Sequence, residues 1–153
     1  MAGTLNNLAN LRSAKNEFQE AEKSYQESLE IRRKLAAVNP QTYLPDVAGT
    51  LNNLGLLQRA KNEFQEAEKS YQEALEIRRK LAQEHPDVYS IPYANTALNL
   101  SILYTYSIVN RVKAIIYSKE AIKWYSPFLD AIAHAKKYSQ YAEQIQKYWE
   151  KKS

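Results

Sequence analysis

Apolar residues recur every three or four positions along most of this chain, which is the spacing of one face of an α-helix. In the middle of the chain the pattern predicts a first helix over about Ala48–Ala60. A break near Lys61 and Asn62 separates it from a longer second helix over about Glu63–Glu84. The apolar positions that define the two faces are Leu51, Leu54 and Leu57 in the first helix, and Phe64, Ala67, Tyr71, Ala74 and Leu75 in the second.

The ends of these helices carry residues typical of helix boundaries. Asn62 suits the N-cap of the second helix, where its side chain would accept a backbone hydrogen bond, and Gln65 completes the pattern of a capping box. Pro86 predicts the end of the second helix, as Pro40 does earlier in the chain, because proline cannot continue a helix. The proline-marked connecting segments are predicted to form only turns; they are Gln41–Asp46 and Asp87–Pro92.

The chain contains an internal duplication. Residues 2–36 align with residues 48–82 without a gap, and 30 of the 35 positions are identical. A third, more divergent copy begins at Ala94, where threonine, asparagine and leucine recur at the same interval of 46 residues. Each copy predicts a pair of helices. The predicted organisation is repeat 1 over 2–47, repeat 2 over 48–93, a degenerate repeat 3 over 94–126 and a capping helix over 127–151.

The stretch after the third copy has no repeat partner but keeps a helical apolar spacing. Ser126 followed by Pro127 is typical of an N-cap and the first helical position, so the pattern predicts a helix that begins there and continues to about Trp149. A stack of helix pairs needs such a helix, because its last pair otherwise exposes an apolar face to water.

Two sets of residues resemble known repeats. The sequence Leu-x2-Leu-Gly at 51–55, followed by Ala-x3-Tyr-x2-Ala at 67–74, resembles the tetratricopeptide repeat (TPR). Asn-Asn-Leu at 52–54, Ala-Leu-Glu-Ile-Arg-Arg at 74–79 and His-Pro-Asp-Val at 85–88 resemble the longer repeats of kinesin light chains. The resemblance implies an all-α fold, an α-α superhelix (TPR solenoid) of three helix pairs plus a C-terminal capping helix.

The chain also departs from the ordinary repeat. Its unit is 46 residues long, against about 34 for the ordinary repeat, and the excess lies in the second helix and its linker. Arg12 and Gln58 stand where the ordinary repeat often has an aromatic residue. These departures do not change the expected fold, but they weaken any inference of a specific ligand from the resembled family.

Composition narrows the function classes. The two histidines, His85 and His134, have no partner at metal-ligand spacing, and the three glycines form no phosphate-binding loop. We therefore expect no enzyme, no cofactor and no metal site. No stretch is long and apolar enough for a transmembrane helix. With no cysteine and no secretory pattern, the sequence predicts a cytoplasmic protein that does not bind membranes.

The charge distribution argues against nucleic acid as a partner. The net charge is +4, and residues 93–153 carry nine basic and four acidic side chains. A nucleic-acid-binding protein usually shows a denser basic stripe than this. The sequence therefore predicts a protein or peptide partner and no nucleic acid.

Asparagines on the predicted first helices are the candidate binding residues. In the resembled family the first helices line a concave groove that binds extended peptides. Asparagine is unfavourable inside a helix, but its carboxamide both donates and accepts, so it can pair with the backbone of a peptide. The candidate peptide-binding residues are Asn6, Asn7 and Asn10 in the first copy, Asn52, Asn53 and Arg59 in the second, and Asn99 in the third.

Alternatives remain open at two levels. Asn7, Asn53 and Asn99 share one register, which suits a bridge between neighbouring repeats as well as a peptide ladder. For the whole chain, the sequence predicts a scaffold that binds a protein segment in the groove of its first helices. The alternative is a self-assembling structural module that forms homo-oligomers through uncapped repeat ends.

Overall fold

The structure, a computed structural model, describes the backbone of residues 2–14 and 17–153 and the side chains of residues 3–9 and 17–153. Over these residues every regular element is helical, which confirms the predicted all-α fold class. The chain divides into two compact units, Met1–Ile77 and Arg78–Ser153. The elements are α1 (Ala2–Ala14), α2 (Phe18–Val38), α3 (Pro40–Ala60), α4 (Phe64–Glu84), α5 (Pro86–Tyr106), α6 (Arg111–Tyr125), a 3-10 helix (Ser126–Phe128) and α7 (Ala133–Glu150).

In the first unit, α2 packs against both α1 and α3. Ala21 and Tyr25 of α2 are buried in one cluster with Ala9 of α1 and with Leu54 and Leu57 of α3. Burial of these apolar surfaces is the main force that holds the three helices together. A second cluster contains Ala36, Val47, Leu51 and Ala74, with Leu29, Tyr43, Leu44 and Ile77 packed against it.

In the second unit, α5, α6 and α7 pack against one another. Two buried aromatic side chains also make polar contacts: the Tyr125 hydroxyl donates a hydrogen bond to Oδ1 of Asn95, and Nε1 of Trp149 donates to Oγ1 of Thr105 at 3.2 Å. The second of these bonds joins the last helix to α5. The large, fully buried side chains of this unit are Tyr93, Leu100, Leu103, Tyr104, Tyr125 and Ile145.

The prediction that the proline-marked segments form only turns was wrong. Residues 41–46 belong to the first turns of α3, and residues 87–92 belong to the first turns of α5. Both helices begin with proline, Pro40 and Pro86, at the first helical position, where a backbone N–H has no intrahelical partner to lose. The two prolines do mark the ends of the preceding helices, as predicted, and they also start the next ones.

A second proline lies deeper in each of these helices, at Pro45 in α3 and Pro92 in α5. Each removes one N–H from the backbone ladder, and both lie in the segments that the sequence predicted to form only turns. The start of α3 is supported by a side-chain cap, because Oδ1 of Asn39 accepts a hydrogen bond from the N–H of Thr42 at 3.3 Å.

In both units an arginine from the preceding helix bonds to the early turns of the proline-containing helix, which is α3 in the first unit and α5 in the second. Nη1 of Arg32 donates to the Asp46 carbonyl at 3.3 Å and to Oγ1 of Thr50 at 2.6 Å. This bond joins α2 to α3 across 18 residues of sequence, so no local pattern predicts it. Its counterpart 46 residues later joins Nη1 of Arg78 to the Pro92 carbonyl (3.0 Å) and to Oγ1 of Thr96 (2.7 Å).

The predicted role of Asn62 as an N-cap was wrong. Its φ is 63°, in the left-handed region, and its N–H donates to the Arg59 carbonyl at 3.0 Å. The N–H of Glu63 donates to the Gln58 carbonyl at 2.9 Å. These two bonds form the Schellman motif that ends a helix, so Asn62 ends α3. Asparagine serves at either kind of helix end, because it caps with its side chain and also tolerates positive φ.

This backbone conformation predicts opposite effects of two substitutions at Asn62. Asn62→Ala should lower the free energy of unfolding by about 1 kcal/mol, because a Cβ without a compensating polar group is strained at positive φ. Asn62→Gly should leave the free energy unchanged or raise it, because glycine adopts positive φ without strain. Urea unfolding of both variants measures the difference, and an alanine variant as stable as the glycine variant would contradict this assignment.

The last helix begins later than predicted. Ser126 and Pro127 form part of the 3-10 helix that follows α6, and α7 begins only at Ala133. Ser126 is therefore not the N-cap of the last helix, a position taken by Ile132 with extended backbone. The face that α7 buries consists of Ala135, Ser139, Ala142, Ile145 and Trp149.

Candidate protein-binding surface

Over its last fourteen residues α3 exposes only a narrow face. Nine of the fourteen residues from Val47 to Ala60 are buried, and four of the other five are spaced by four, three and four positions. That spacing places them on one face of the helix. We call these four residues, Gly49, Asn53, Leu56 and Ala60, the first-helix stripe of α3.

The same stripe recurs in the other first helices at intervals of 46 residues. In α5 the corresponding residues are half-buried or exposed, and in α1 the two whose side chains are described are exposed. The stripe carries a carboxamide at one fixed position in every repeat. The members are Gly3 and Asn7 in α1, and Asn95, Asn99, Ile102 and Tyr106 in α5.

The predicted binding residues divide between this stripe and the buried side of the helices. Asn53 lies on the stripe and is half-buried, whereas its neighbour Asn52 is 9% exposed and already interacts within the protein. In α1, Asn7 is exposed and Asn6 is half-buried. Adjacent residues of a helix point about 100° apart around its axis. The side chains of Asn52 and Asn53 therefore lie in different surroundings.

Two further candidates lie elsewhere. Asn99 occupies the stripe position of α5 in the second unit, is half-buried and interacts within the protein. The side chain of Asn10 lies outside the described residues. Contact of any of these asparagines with a peptide stays a prediction.

Arg59 lies beside the stripe in the last turn of α3 and is half-buried. Tyr71 of α4, whose ring is fully buried, lies close enough to Arg59 to interact with its charge. Burial raises the pKa of the Tyr71 hydroxyl well above its ordinary value, and the nearby charge of Arg59 partly opposes that shift. The guanidinium therefore supplies a positive charge at the edge of the stripe, next to the α3–α4 packing.

Sequence reasoning missed the role of Gln58. This residue stands where the resembled repeat often has an aromatic side chain, yet it is 6% exposed. Its Oε1 accepts a hydrogen bond from Oγ of Ser70 at 2.7 Å, which joins α3 to α4 directly behind the stripe. A buried polar pair of this kind fixes the register of two helices, because either partner alone would lose its hydrogen bond. The only sequence signal was a polar residue at an apolar position.

The described residues offer no metal site, since no three of their histidine, aspartate and glutamate side chains cluster as metal ligands would. In this part of the chain no helix is both long enough and apolar enough to span a membrane.

Comparison with known proteins identifies the repeat. The sequence signature described as Tetratricopeptide repeat matches residues 1–80, which is more than half of the chain. The chain belongs to the tetratricopeptide repeat family. The crystal structure of BtubC (BKLC) from P. vanneervenii is similar to this tetratricopeptide repeat chain, with a TM-score of 0.63 and 25% sequence identity. The alignment covers 94% of this chain and 59% of that one, and no curated protein matches this sequence.

Membership of the family gives the class of function. Tetratricopeptide repeats are generally protein-interaction modules, and the family is a non-catalytic repeat scaffold. The tetratricopeptide repeat chain described here spans less than two thirds of the length of BtubC, so the function of that whole protein is not carried over. The finer resemblance to kinesin light chain repeats stays a prediction.

Proposed function

We propose that the first unit binds an extended segment of a partner protein along the first-helix stripes of α1 and α3. The observation that carries this proposal is the recurrence of one stripe of exposed or half-buried positions, with an asparagine at the same position, in each first helix. A surface needed only for solubility has no reason to repeat a residue type that is unfavourable inside helices.

The chemistry of the stripe suits a peptide backbone. The carboxamide of Asn53 donates and accepts, so it pairs with peptide N–H and C=O groups whatever the peptide's side chains are. Leu56 is 39% exposed and offers an apolar contact beside it. Arg59 adds a positive charge at the end of α3, which favours an acidic side chain in the bound segment.

Exposed positions on the second helices have a different character. Glu30 pairs with Lys34 at 2.9 Å on α2, and Glu66 pairs with Lys69 at 3.4 Å on α4. Exposed ion pairs between neighbouring helical positions mainly support the helix and keep its surface hydrated. The second helices therefore present a weaker case for a binding surface than the first helices do.

The second unit uses part of its own stripe for internal contacts. Asn95 holds the Tyr125 hydroxyl, and Tyr106 lies against the ring of Tyr148 in α7, with 5.9 Å between ring centres. These contacts leave less of the α5 stripe for a partner. The proposal therefore places the binding surface on the first unit.

The proposal is tested with peptides selected from a random library on the wild-type chain. Asn53→Ala should weaken their binding about fivefold, because one or two hydrogen bonds to the peptide are lost. The same change should not lower the free energy of unfolding, because alanine is the better helix former. Isothermal titration and thermal melting measure the two quantities.

The neighbouring residue supplies the matched control. Asn52→Ala should lower the free energy of unfolding by about 1–2 kcal/mol, because it removes a buried and engaged carboxamide. At a temperature where this variant is folded, it should bind the selected peptides nearly as well as the wild type. Loss of binding in the Asn52 variant with full binding in the Asn53 variant would refute the proposed orientation.

A further inference from the structure

One exposed stripe of α6 combines aliphatic and basic side chains. Four exposed residues of α6, spaced by four, three and four positions, lie on one face of the helix. An exposed valine precedes them by three positions, in the turn between α5 and α6. The three aliphatic members are 63%, 67% and 51% exposed, in chain order. We call this set the α6 stripe: Val109, Val112, Ile116, Lys119 and Lys123.

The corresponding positions of the other two repeats are polar. From the α5–α6 turn onward the third repeat follows the second at an interval of 47 residues, and Ala114 is fully buried like its counterpart Ala67. The α6 stripe then corresponds to exposed polar residues of the second repeat, Asn62, Gln65, Lys69, Gln72 and Glu76. The described counterparts in the first repeat are also polar and exposed: Gln19, Lys23, Gln26 and Glu30.

Neighbouring helices do not cover these positions. α2 packs against α1 and α3, and its four described counterparts of the stripe are exposed. α6 packs against α5 and α7, and its stripe is exposed too. The stacking of one helix pair on the next therefore leaves the stripe in solvent, so packing within the chain does not set its composition.

Local stability does not account for the aliphatic residues either. Val109 has a φ of 56°, and its counterpart Asn62 has a φ of 63°. A β-branched residue is strained in this left-handed region, which asparagine tolerates. Valine and isoleucine are also poorer helix formers than glutamine and lysine. The aliphatic half of the stripe is thus less favourable for the fold than the residues of the second repeat, which indicates a use outside the fold.

The charge of α6 differs from that of the other second helices. α6 carries four basic side chains, all of them exposed, and one acidic residue, Glu120. Glu120 is half-buried, and its carboxylate accepts a hydrogen bond from Nε1 of Trp124 at 3.1 Å. On α2 and α4, by contrast, exposed glutamates pair with exposed lysines. A partner that covers the whole α6 stripe must therefore supply both apolar side chains and carboxylates.

We propose that the α6 stripe binds an amphipathic helix of a partner protein. The apolar side chains of that helix cover the aliphatic half of the stripe, and its carboxylates lie opposite Lys119 and Lys123. The row from position 112 to position 123 is straight and roughly 16 Å long, and a second helix presents side chains in a row of the same spacing. Apolar burial supplies most of the affinity, and the two lysines select the partner. The α6 stripe of a second molecule of this chain would not supply the carboxylates.

The test uses two labelled synthetic helical peptides, each titrated with the full chain. Both carry three leucines at alternating three- and four-residue spacing on the same alanine- and glutamine-based sequence. One peptide continues the row with two glutamates and the other with two lysines. Fluorescence anisotropy should show saturable binding of the glutamate peptide. The lysine peptide should bind at least about tenfold more weakly, because it brings like charges together.

The aliphatic half is tested by a chain with Val109→Asn, Val112→Gln and Ile116→Gln. It should bind the glutamate peptide at least about tenfold more weakly, because the apolar contact is lost. It should melt at or above the wild-type temperature, because asparagine tolerates positive φ and glutamine is the better helix former. The matched control is Lys69→Gln, which changes the exposed counterpart of Ile116 on α4 and should leave the affinity unchanged.

The basic half is tested by reversing its charge with Lys119→Glu and Lys123→Glu. This chain should bind the glutamate peptide at least about tenfold more weakly than the wild type does, and it should bind the lysine peptide more tightly. Both peptides keep their leucines, so an exchange of preference comes from the charged half of the stripe alone.

Four results would overturn the proposal. The first is the absence of saturable binding of the glutamate peptide, and the second is binding that the aliphatic-half variant retains in full. The third is equal affinity for both peptides with no response to charge reversal. The fourth is a chain that binds neither peptide but binds phosphatidylserine vesicles or self-associates, with the aliphatic-half variant abolishing that behaviour. This result would assign the stripe to a lipid surface or to a second molecule of the chain.

Discussion

Replacing Trp149 by alanine is expected to lower the free energy of unfolding of the second unit by about 3–5 kcal/mol. Trp149 is 7% exposed, and its ring lies edge-on to that of Tyr148, with 5.2 Å between centres. Its Nε1 donates to Thr105, so the one side chain contributes both buried apolar surface and a hydrogen bond from α7 to α5. Its removal leaves a cavity where the last helix meets the preceding pair.

A conservative substitution separates the two links. Trp149→Phe keeps most of the apolar contact and removes the donor to Thr105, so it should cost about 1–2 kcal/mol. Denaturant unfolding followed by circular dichroism measures both variants. If Trp149→Ala is no more damaging than Trp149→Phe, α7 is not held on α5 by this side chain and does not act as a cap.

The second large effect is expected at Gly55, where Gly55→Ala should lower the free energy of unfolding of the first unit by about 1–2 kcal/mol. A Cβ at this position would lie 2.7 Å from two ring carbons of Tyr71, which is itself fully buried. Alanine gains up to about 1 kcal/mol in helix propensity, but the clash with a ring that cannot move costs more.

The matched control is Gly3→Ala. An added Cβ at Gly3 meets no atom within 4 Å, so only the propensity term remains. Gly3→Ala should therefore preserve or raise the free energy of unfolding, and thermal melting compares the two variants. Equal stabilisation by both changes would show that α3 and α4 do not require a glycine at their contact.

The relation of sequence to structure is clearest at α4. The sequence predicts Glu63–Glu84 and the helix is Phe64–Glu84, because apolar spacing and a terminal proline are local signals. The start of α3 depends on contacts from elsewhere. Arg32 bonds to the backbone near Pro45 from a different helix, and a single-sequence pattern contains no sign of that donor.

The candidate surface shows the same limit more sharply. Helix propensity does not distinguish Asn52 from Asn53, and both were predicted to bind. The packing around α3 decides that Asn52 is buried and Asn53 only half-buried. Gln58 was missed for a related reason, since its partner Ser70 is twelve residues away on another helix.

The repeat itself supplies information that single positions lack. Identical residues in α1 and α3 have different neighbours, so comparison of the two copies separates what the sequence specifies from what packing adds. Leu8 and Leu54 are the simplest case, with 39% and 5% of their surfaces exposed. In repeat proteins each unit contacts only its neighbours, so identical residues in two copies differ in exposure where their neighbours differ.

The central claim, that a partner segment lies along the stripe of first helices, is tested most directly by site-specific photocrosslinking. A photoreactive phenylalanine analogue is placed at position 56 on α3 or at position 26, an exposed position on α2. Each protein is then irradiated with a selected peptide bound. The account predicts crosslinks from position 56 and none from position 26. Crosslinks from position 26 alone would place the partner on the second helices and contradict the account.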